Sequence, residues 1–279
     1  MGAALSWRGF LLYLRAMFFR RSWDEARRRL SEDPGHSERD RGAAGMERAL
    51  AVELEGREVA VLLRRHARAR RISLRIDSRR DAAVLTLPPR VREADALAFL
   101  RQHGTWVVDQ LDALPERIPF ADGAAIPFLG RERLIAHDAA ARGAARLDAQ
   151  DDGILRVAGA IEHLPRRVTD FMKREARAAI RPLVTEKAAR LGVEAGRIIL
   201  RDQRTRWGSC TATGDLNFSW RLIYCPPAIL DYVVAHEVAH LRHMDHSPAF
   251  WATVEEIAPM PKRSRAWLRQ HGHRLHRIG

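Results

Sequence analysis

The chain has 279 residues, of which 46% are hydrophobic and 30% charged, and its formal net charge is +13. This length allows one large or two small domains with a substantial core, and the apolar fraction excludes a mostly disordered chain. Only two cysteines are present, which excludes a disulfide scaffold and favours a reduced, cytoplasmic protein. The positive charge comes almost entirely from arginine and favours acidic partners, with nucleic acid as one candidate for the basic surface.

The first 45 residues differ in composition from the rest of the chain. Phe10–Phe19 is apolar, but Arg15 interrupts it and it is too short to span a bilayer, so no transmembrane segment is predicted. Asp24–Gly45 is charged and poor in large apolar side chains, as is typical of a linker. We therefore predict that residues 1–45 are a disordered extension or precede a true start at Met46.

Residues 46–165 are dominated by strand patterns. Ala51–Leu63 and Arg71–Ile76 alternate apolar with polar residues, and Ala82–Leu87 is an apolar run that two prolines end. Helical spacing follows in Arg92–Leu111, and turn signals after it predict two hairpins. This part of the chain is predicted to form a β-rich N-terminal subdomain.

A long helix and a β-hairpin are predicted next. The helical pattern runs over Val168–Leu191, where Pro182 should kink or divide the helix and Gly192 is a plausible C-cap. A strand beginning at Ile198 leads into the hairpin, whose second strand is predicted to be Leu216–Tyr224. The hairpin therefore comes directly before the segment that carries the chemistry.

That segment is Val233–Trp251, which contains the sequence H-E-x-x-H. Residues four apart lie on one face of a helix, so the imidazoles of His236 and His240 can bind one zinc ion. Glu237 lies one position further round the helix and can act on the attacking water. Apolar residues at helical spacing precede the motif, so the helix is predicted to bury its other face.

Catalytic zinc usually has three protein ligands, and two histidines compete for the third position. His243 stays on the same helical face, but it lies about 10 Å along the axis from His236 at 1.5 Å per residue. His246 precedes a helix-start pair, so a turn near His243 would bring it over the metal. We prefer His246, and Glu255 and Glu256 are the remaining candidates because some zinc peptidases use two histidines and a glutamate.

The residues around this motif resemble a known family. The resemblance is carried by Arg206–Cys210, Leu216-Asn217, Tyr232-Val233, His236–Leu241, His246-Ser247 and Phe250-Trp251. Together they are similar to the YgjP-like metallopeptidases, compact zincins that are similar to the SprT and WLM-type proteases. The resemblance covers roughly Glu53–Leu275. It implies zinc bound by His236, His240 and His246, with Glu237 as the general base.

Several residues could assist the reaction. A hydrogen-bond donor that stabilises the tetrahedral oxyanion lowers the activation barrier by roughly 3 kcal/mol. Four residues are candidates for this role or for contact with the substrate. They are Arg206, Tyr224, Tyr232 and His243. Asp245 could orient a ligand imidazole by a hydrogen bond, or it could be a turn residue at the end of the helix.

The predicted fold is α+β. A zincin-like catalytic subdomain over residues 166–279, made of the hairpin, the H-E-x-x-H helix and C-terminal helices, follows the β-rich subdomain. The predicted function is a zinc-dependent metallopeptidase that acts on peptide or protein substrates. One alternative is a nucleic-acid-associated protein with a structural zinc, favoured by the net charge and the arginines of Arg64–Arg71. Another is an amide hydrolase that is not a peptidase.

Overall fold

The computed structural model describes residues 47–203 and 205–279. The chain forms two compact units that meet between Leu114 and Pro115 in the sequence. The subdomain boundary expected at 165/166 lies instead inside a helix of the second unit. The predictions for residues 1–45 fall outside the described residues. None of the helices in the described ranges combines the length and apolar character that a bilayer crossing demands.

In its described residues, 47–114, the first unit is a mixed four-stranded sheet followed by two helices. Its elements are β1 (Glu47–Leu54), β2 (Arg57–Arg65), β3 (Ser73–Asp77), β4 (Ala82–Leu87), α1 (Glu93–Gln102) and α2 (Gly104–Asp112). The strand order is β1-β2-β4-β3, with β2 and β4 parallel and the other pairs antiparallel. Every residue of β4 is buried, as expected for a central strand.

The segment Ala51–Leu63, which we expected to be strand, is divided between two strands. Glu55 and Gly56 form the two-residue turn between β1 and β2, with φ angles of 51° and 70°. Two positive φ values are typical of the hairpin turn whose twist matches that of the strands, and glycine adopts this conformation at little cost. The turn was missed because the residues before Gly56 look like a continuous strand.

The second unit contains two sheets and, in its described residues, four α-helices. The first sheet has the order β5-β6-β8-β7, and the second has the order β10-β11-β9. Its strands are β5 (Ala125–Phe128), β6 (Arg131–Asp138), β7 (Arg146–Leu147), β8 (Ile154–Ala158), β9 (Ile198–Arg201), β10 (Gly208–Cys210) and β11 (Leu216–Ser219). Its helices are α3 (Leu164–Leu191), α4 (Pro227–Ala239), α5 (Pro248–Ile257) and α6 (Pro261–Leu275). The predicted α+β class is therefore confirmed.

Helix α3 is continuous, although Pro182 lies inside it. A proline inside a helix destabilises it by about 3 kcal/mol, whereas full burial of one aliphatic side chain stabilises the fold by about 1.5–3 kcal/mol. Ile180, Val184 and Leu191 are three of the buried side chains on the core face of this helix, so burial outweighs the proline. Gly192 is the C-cap, as predicted, with a left-handed φ of 64°.

The predicted hairpin before α4 is present but shorter than expected. Strands β10 and β11 pair antiparallel, and β9 pairs parallel with β11. The strand predicted over Leu216–Tyr224 ends at Ser219, because Trp220–Tyr224 forms a 3-10 turn. The hydroxyl of Ser219 accepts a hydrogen bond from the backbone N–H of Arg221 and so caps that turn.

Helix α4 lies in the core of the second unit. The apolar residues that predicted it, among them Leu230 and Val234, are buried. Its start is fixed by a close backbone approach, because a Cβ at Gly130 would lie 3.3 Å from Cα of Pro226. Gly130 also has a φ of 79°, which favours glycine on conformational grounds. The buried position of α4 gives its C-terminal end, which carries the motif, a rigid support.

Candidate metal centre

The H-E-x-x-H motif occupies the C-terminal end of α4. His236 and Glu237 lie in the last turn, and the helix ends at Ala239. His240 follows directly with φ −64° and ψ −20°, so its backbone still has the helical conformation. The rings of His236 and His240 therefore share one face, with their centroids 5.0 Å apart.

A tight turn after His240 brings a third histidine back to this face. The turn begins where α4 ends, four residues before the expected position at His243, and its N–H groups donate to the carbonyls of Val238 and Ala239. Asp245 accepts a hydrogen bond from the backbone N–H of Ser247 at 3.2 Å, as a turn residue does. The Ser247 hydroxyl then caps α5.

Three imidazoles meet at the end of this turn. Ligand nitrogens of His236, His240 and His246 all lie within 4.8 Å of one another. The Nε2 atoms of His236 and His246 are 3.3 Å apart. Two nitrogens that bind one ion at about 2.1 Å in tetrahedral geometry are about 3.4 Å apart. Of the candidates for the third position, His246 joins the cluster, whereas His243, Glu255 and Glu256 do not.

The orientation of the His240 ring is fixed from both sides. Its Nδ1 lies 3.0 Å from the backbone carbonyl oxygen of His243. A carbonyl oxygen only accepts, so Nδ1 must carry the proton and Nε2 is left with its lone pair. Phe250, which is fully buried, stacks on the same ring at 4.5 Å and meets the rings of His236 and His246 edge-on.

The His236 ring differs, because its Nδ1 is buried and has no hydrogen-bond partner among the described residues.

Burial keeps two of these imidazoles in the form that binds metals. It lowers the pKa of His236 to about 4, and the charges of His240, His246 and Arg265 add to the effect. Burial also lowers the pKa of His240, while the hydrogen bond to His243 opposes the shift. Both rings are therefore neutral at neutral pH, and a neutral imidazole is the ligand state.

The Glu237 carboxylate is held against the first residue of β10. A Cβ at Gly208 would lie 2.5 Å from Oε1 of Glu237 and 2.6 Å from its Cγ, so a larger residue there would force the Glu237 side chain to move. Burial raises the pKa of Glu237 to about 8, and the nearby charge of Arg206 works in the opposite direction. A perturbed carboxylate beside a histidine cluster is a candidate for acid–base chemistry.

A cavity of about 330 Å³ opens beside Glu237 and His236. Its other lining residues are Arg206, Trp207, Gly208, Tyr232, Val233, Arg265, Leu268 and Arg269. Two of the predicted contact residues, Arg206 and Tyr232, therefore face this cavity. The structure does not place the other two there, because Tyr224 is buried against Trp220 and His243 contributes its backbone carbonyl to the turn.

The α6 side of this cavity was missed by sequence reasoning. Arg265, Leu268 and Arg269 are on one face of α6, as their spacing requires. Arginine is frequent throughout this chain, so the spacing alone gave no reason to single these residues out. Phe250 was named as part of the family resemblance, but its contact with all three imidazoles could not be derived from its position in the sequence.

The donor set fits a divalent transition metal. Imidazole nitrogens suit zinc, copper, iron and nickel, whereas calcium and magnesium prefer oxygen. The spacing of the His236 and His246 nitrogens is that of two ligands on one ion, and the cavity leaves a side of the cluster open. These residues could therefore hold a metal ion with a position left for water or substrate.

One comparison with known proteins identifies a metallopeptidase family. A family model described as YgjP-like, metallopeptidase domain, matches residues 70–271. No curated protein matches the chain. Two solved structures are similar to a third of it: the metallopeptidase zymogen abylysin of Pyrococcus abyssi and the metallopeptidase zymogen jannalysin of Methanocaldococcus jannaschii. Identities are 20% and 16%, each alignment covers 33% of this chain and 92% or 94% of the other, and both TM-scores are 0.30. Scores this low carry no argument about function.

Proposed function

Because the chain belongs to the YgjP-like metallopeptidase family, we propose that it is a zinc-dependent peptidase with a zincin-like catalytic subdomain. One observation supports this proposal more than any other. The ligand nitrogens of three histidines converge beside a buried glutamate and an open cavity. Family membership gives the class of reaction, and this arrangement supports the choice of the residues that we propose perform it.

We assign zinc to His236, His240 and His246. When bound, zinc lowers the pKa of a water molecule towards about 7 and polarises the carbonyl of the scissile bond. The hydrogen bond from His240 to the carbonyl of His243 sets the tautomer that this role requires. Phe250 limits rotation of the three rings, so the ligands are positioned before the ion binds.

Glu237 is the proposed general base. Its ionised carboxylate would accept a proton from the attacking water and later deliver it to the leaving amine. Contact with Gly208 fixes the carboxylate at the wall of the cavity. The charge of Arg206 lowers the pKa of Glu237 only in part, because burial still holds it at about 8. The positive charge of a bound metal ion would lower it further and so favour the ionised form that a base requires. Arg206 and Tyr232, the two predicted contact residues that line the cavity, are proposed to hold the substrate carbonyl or its oxyanion.

Strand β10 is a suitable place for an extended peptide. It pairs with β11 through Gly208–Cys210, and its other edge has no strand partner in the described residues. A peptide that adds to a free sheet edge is bound by main-chain hydrogen bonds whatever its sequence. Since Gly208 touches Glu237, a peptide on this edge would pass directly beside the proposed base.

The proposal is tested by metal analysis of the purified protein together with digestion of unfolded protein substrates. Glu237→Gln should keep its zinc and lose between roughly a hundredfold and ten-thousandfold in cleavage rate. His246→Ala should lose zinc, because it removes one of three ligands. Zinc that stays bound in His246→Ala would contradict the ligand assignment. A fully zinc-loaded wild-type protein that cleaves no peptide bond would contradict the proposed peptidase activity.

Nucleic-acid binding and a non-peptidase amide hydrolase remain predictions. Part of the basic run has a structural use, because Arg64 donates to the hydroxyl of Thr86 and Arg65 donates to three backbone carbonyls after β4. Nucleic-acid binding would be detected as a salt-dependent shift of labelled DNA. Product analysis separates a peptidase from another amide hydrolase. The cytoplasmic location stays a prediction from cysteine content.

A further inference from the structure

The cavity beside Glu237 has a positively charged rim. Arg206 lies on the segment that leads into β10, and Arg265 and Arg269 lie one turn apart on α6. All three side chains are exposed. Among the described residues that line the cavity, Glu237 is the only acidic one. Among the described residues, neither Arg265 nor Arg269 forms an ion pair with a carboxylate, whereas the charge of Arg206 acts on Glu237. The charges of the two α6 arginines are therefore available to a ligand.

Arg265 is held close to the metal centre. Its guanidinium carbon lies 5.0 Å from the centre of the Trp251 ring, and that ring lies 5.7 Å from the ring of His236. A cation over an indole face is attracted by the ring, which restricts where the arginine points. A substrate group that contacts Arg265 is therefore near the three histidines.

The floor of the cavity is apolar and rigid. Trp207, Val233 and Leu268 form it, and Val233 is buried in α4. The Trp207 ring stacks on His276 with a centroid distance of 4.8 Å. It also packs closely on α6, because a Cβ at Gly272 would lie 3.1 Å from the indole. An apolar floor with a cationic rim suits a ligand that has a methylene stem and an anionic end.

We infer that this cavity selects a carboxylate of the substrate, so that the peptidase prefers peptides with an acidic residue next to the scissile bond. The inference rests on the proposed function. A glutamate side chain has the stem and the charge that the cavity complements, and about 330 Å³ is ample for it. The C-terminal carboxylate of a peptide has the same chemistry, and the experiment separates the two sources.

Binding is measured on the zinc-loaded Glu237→Gln protein, which should hold peptides without cleaving them. Two peptide libraries with blocked ends differ only in glutamate or glutamine at the central position, and a third has glutamine there and a free C-terminal carboxylate. Affinity selection followed by mass spectrometry gives the enrichment ratio between libraries. Hydrogen bonds to charged groups predict an enrichment of glutamate over glutamine between roughly tenfold and a hundredfold.

The variants Arg265→Ala and Arg269→Ala are then made in the same background. Each should reduce the enrichment to near one. Arg263→Ala is the matched control, because Arg263 lies on the same helix, lines a different cavity and contacts Met260. It removes the same charge from the protein but should leave the ratio unchanged, which separates local contact from general electrostatic attraction.

Equal binding of the glutamate and glutamine libraries would overturn the inference, as would an enrichment that survives in both arginine variants. Enrichment of the third library alone, lost with the same arginines, would support the carboxylate site and identify the chain terminus as its source. A single-stranded oligonucleotide that displaces all peptides and depends on the same arginines would overturn the peptide as ligand. Cleavage of no library by the zinc-loaded wild type, with enrichment intact, would instead contradict the proposed function.

Discussion

The two walls of the candidate site are built in different ways. On the α4–α5 wall Glu237, His240 and Phe250 are buried, His236 is half-buried and His246 is exposed. Each functional side chain there touches another group: the three imidazoles meet Phe250, and Glu237 meets Gly208. The α6 wall presents exposed arginines that, in the described residues, have no acidic partner. A wall held by direct contacts tolerates little change, whereas one made of exposed charges can change without loss of the fold.

This difference suggests a division of roles. The α4–α5 wall is suited to chemistry, which demands atoms fixed within about half an ångström. The α6 wall is suited to selection, because substitutions of exposed residues usually change stability by less than about 0.5 kcal/mol. Substitutions on the first wall should therefore affect catalysis or metal binding, and those on the second should affect the choice of substrate.

The largest effect is expected where the contact is tightest. Gly208→Ala would place a Cβ 2.5 Å from Oε1 of Glu237, far inside a normal contact, so the carboxylate must move. A displacement of about 1 Å in a catalytic group can reduce the rate roughly a hundredfold, and we expect that loss in kcat/KM with zinc content unchanged. Ser209→Ala on the same strand is the control, because neighbouring strand residues point to opposite faces. If Gly208→Ala is as active as wild type, the position of the Glu237 carboxylate against Gly208 is not required for catalysis.

A smaller effect is expected when the aromatic support of the histidines is reduced. Phe250→Leu keeps an apolar residue but removes the ring that stacks on His240 at 4.5 Å. An aromatic pair contributes about 0.5–1.5 kcal/mol beyond its buried area. The smaller leucine also leaves a cavity, so the free energy of unfolding of the metal-free protein should fall by more than about 1 kcal/mol. Zinc affinity, measured by competition with a chelator, should fall roughly tenfold, as it does when groups that orient metal ligands are changed.

Phe171→Leu separates a support role from general loss of packing. Phe171 is also buried, but it lies in α3 and packs against Phe128, away from the histidines. Its substitution should lower stability while zinc affinity stays within about twofold of wild type. If both variants lower zinc affinity equally, Phe250 has no particular role in positioning the ligands.

The contrast between the walls also explains what the sequence could predict. Helix α4 and its motif follow from spacing along one element, and His246 follows from the reach of a short turn. The α6 wall depends on how three distant segments pack, which spacing within one helix does not encode. Pro182 shows the same limit in the fold: local preference predicted a break in α3, and burial of the helix face kept it continuous.

The smallest effect is expected at His243, whose role in the structure belongs to its backbone. Its carbonyl oxygen accepts the Nδ1 hydrogen of His240, and its ring is outside the cluster of ligand nitrogens. His243→Ala keeps that carbonyl and removes a half-buried ring that is not one of the ligands. Zinc content should therefore be unchanged, and kcat/KM should stay within roughly twofold of wild type. His246→Ala, which should lose the metal, is the matched comparison within the same turn. If His243→Ala also releases zinc, the imidazole of residue 243 takes part in binding, and the α4–α5 wall rearranges when the metal enters.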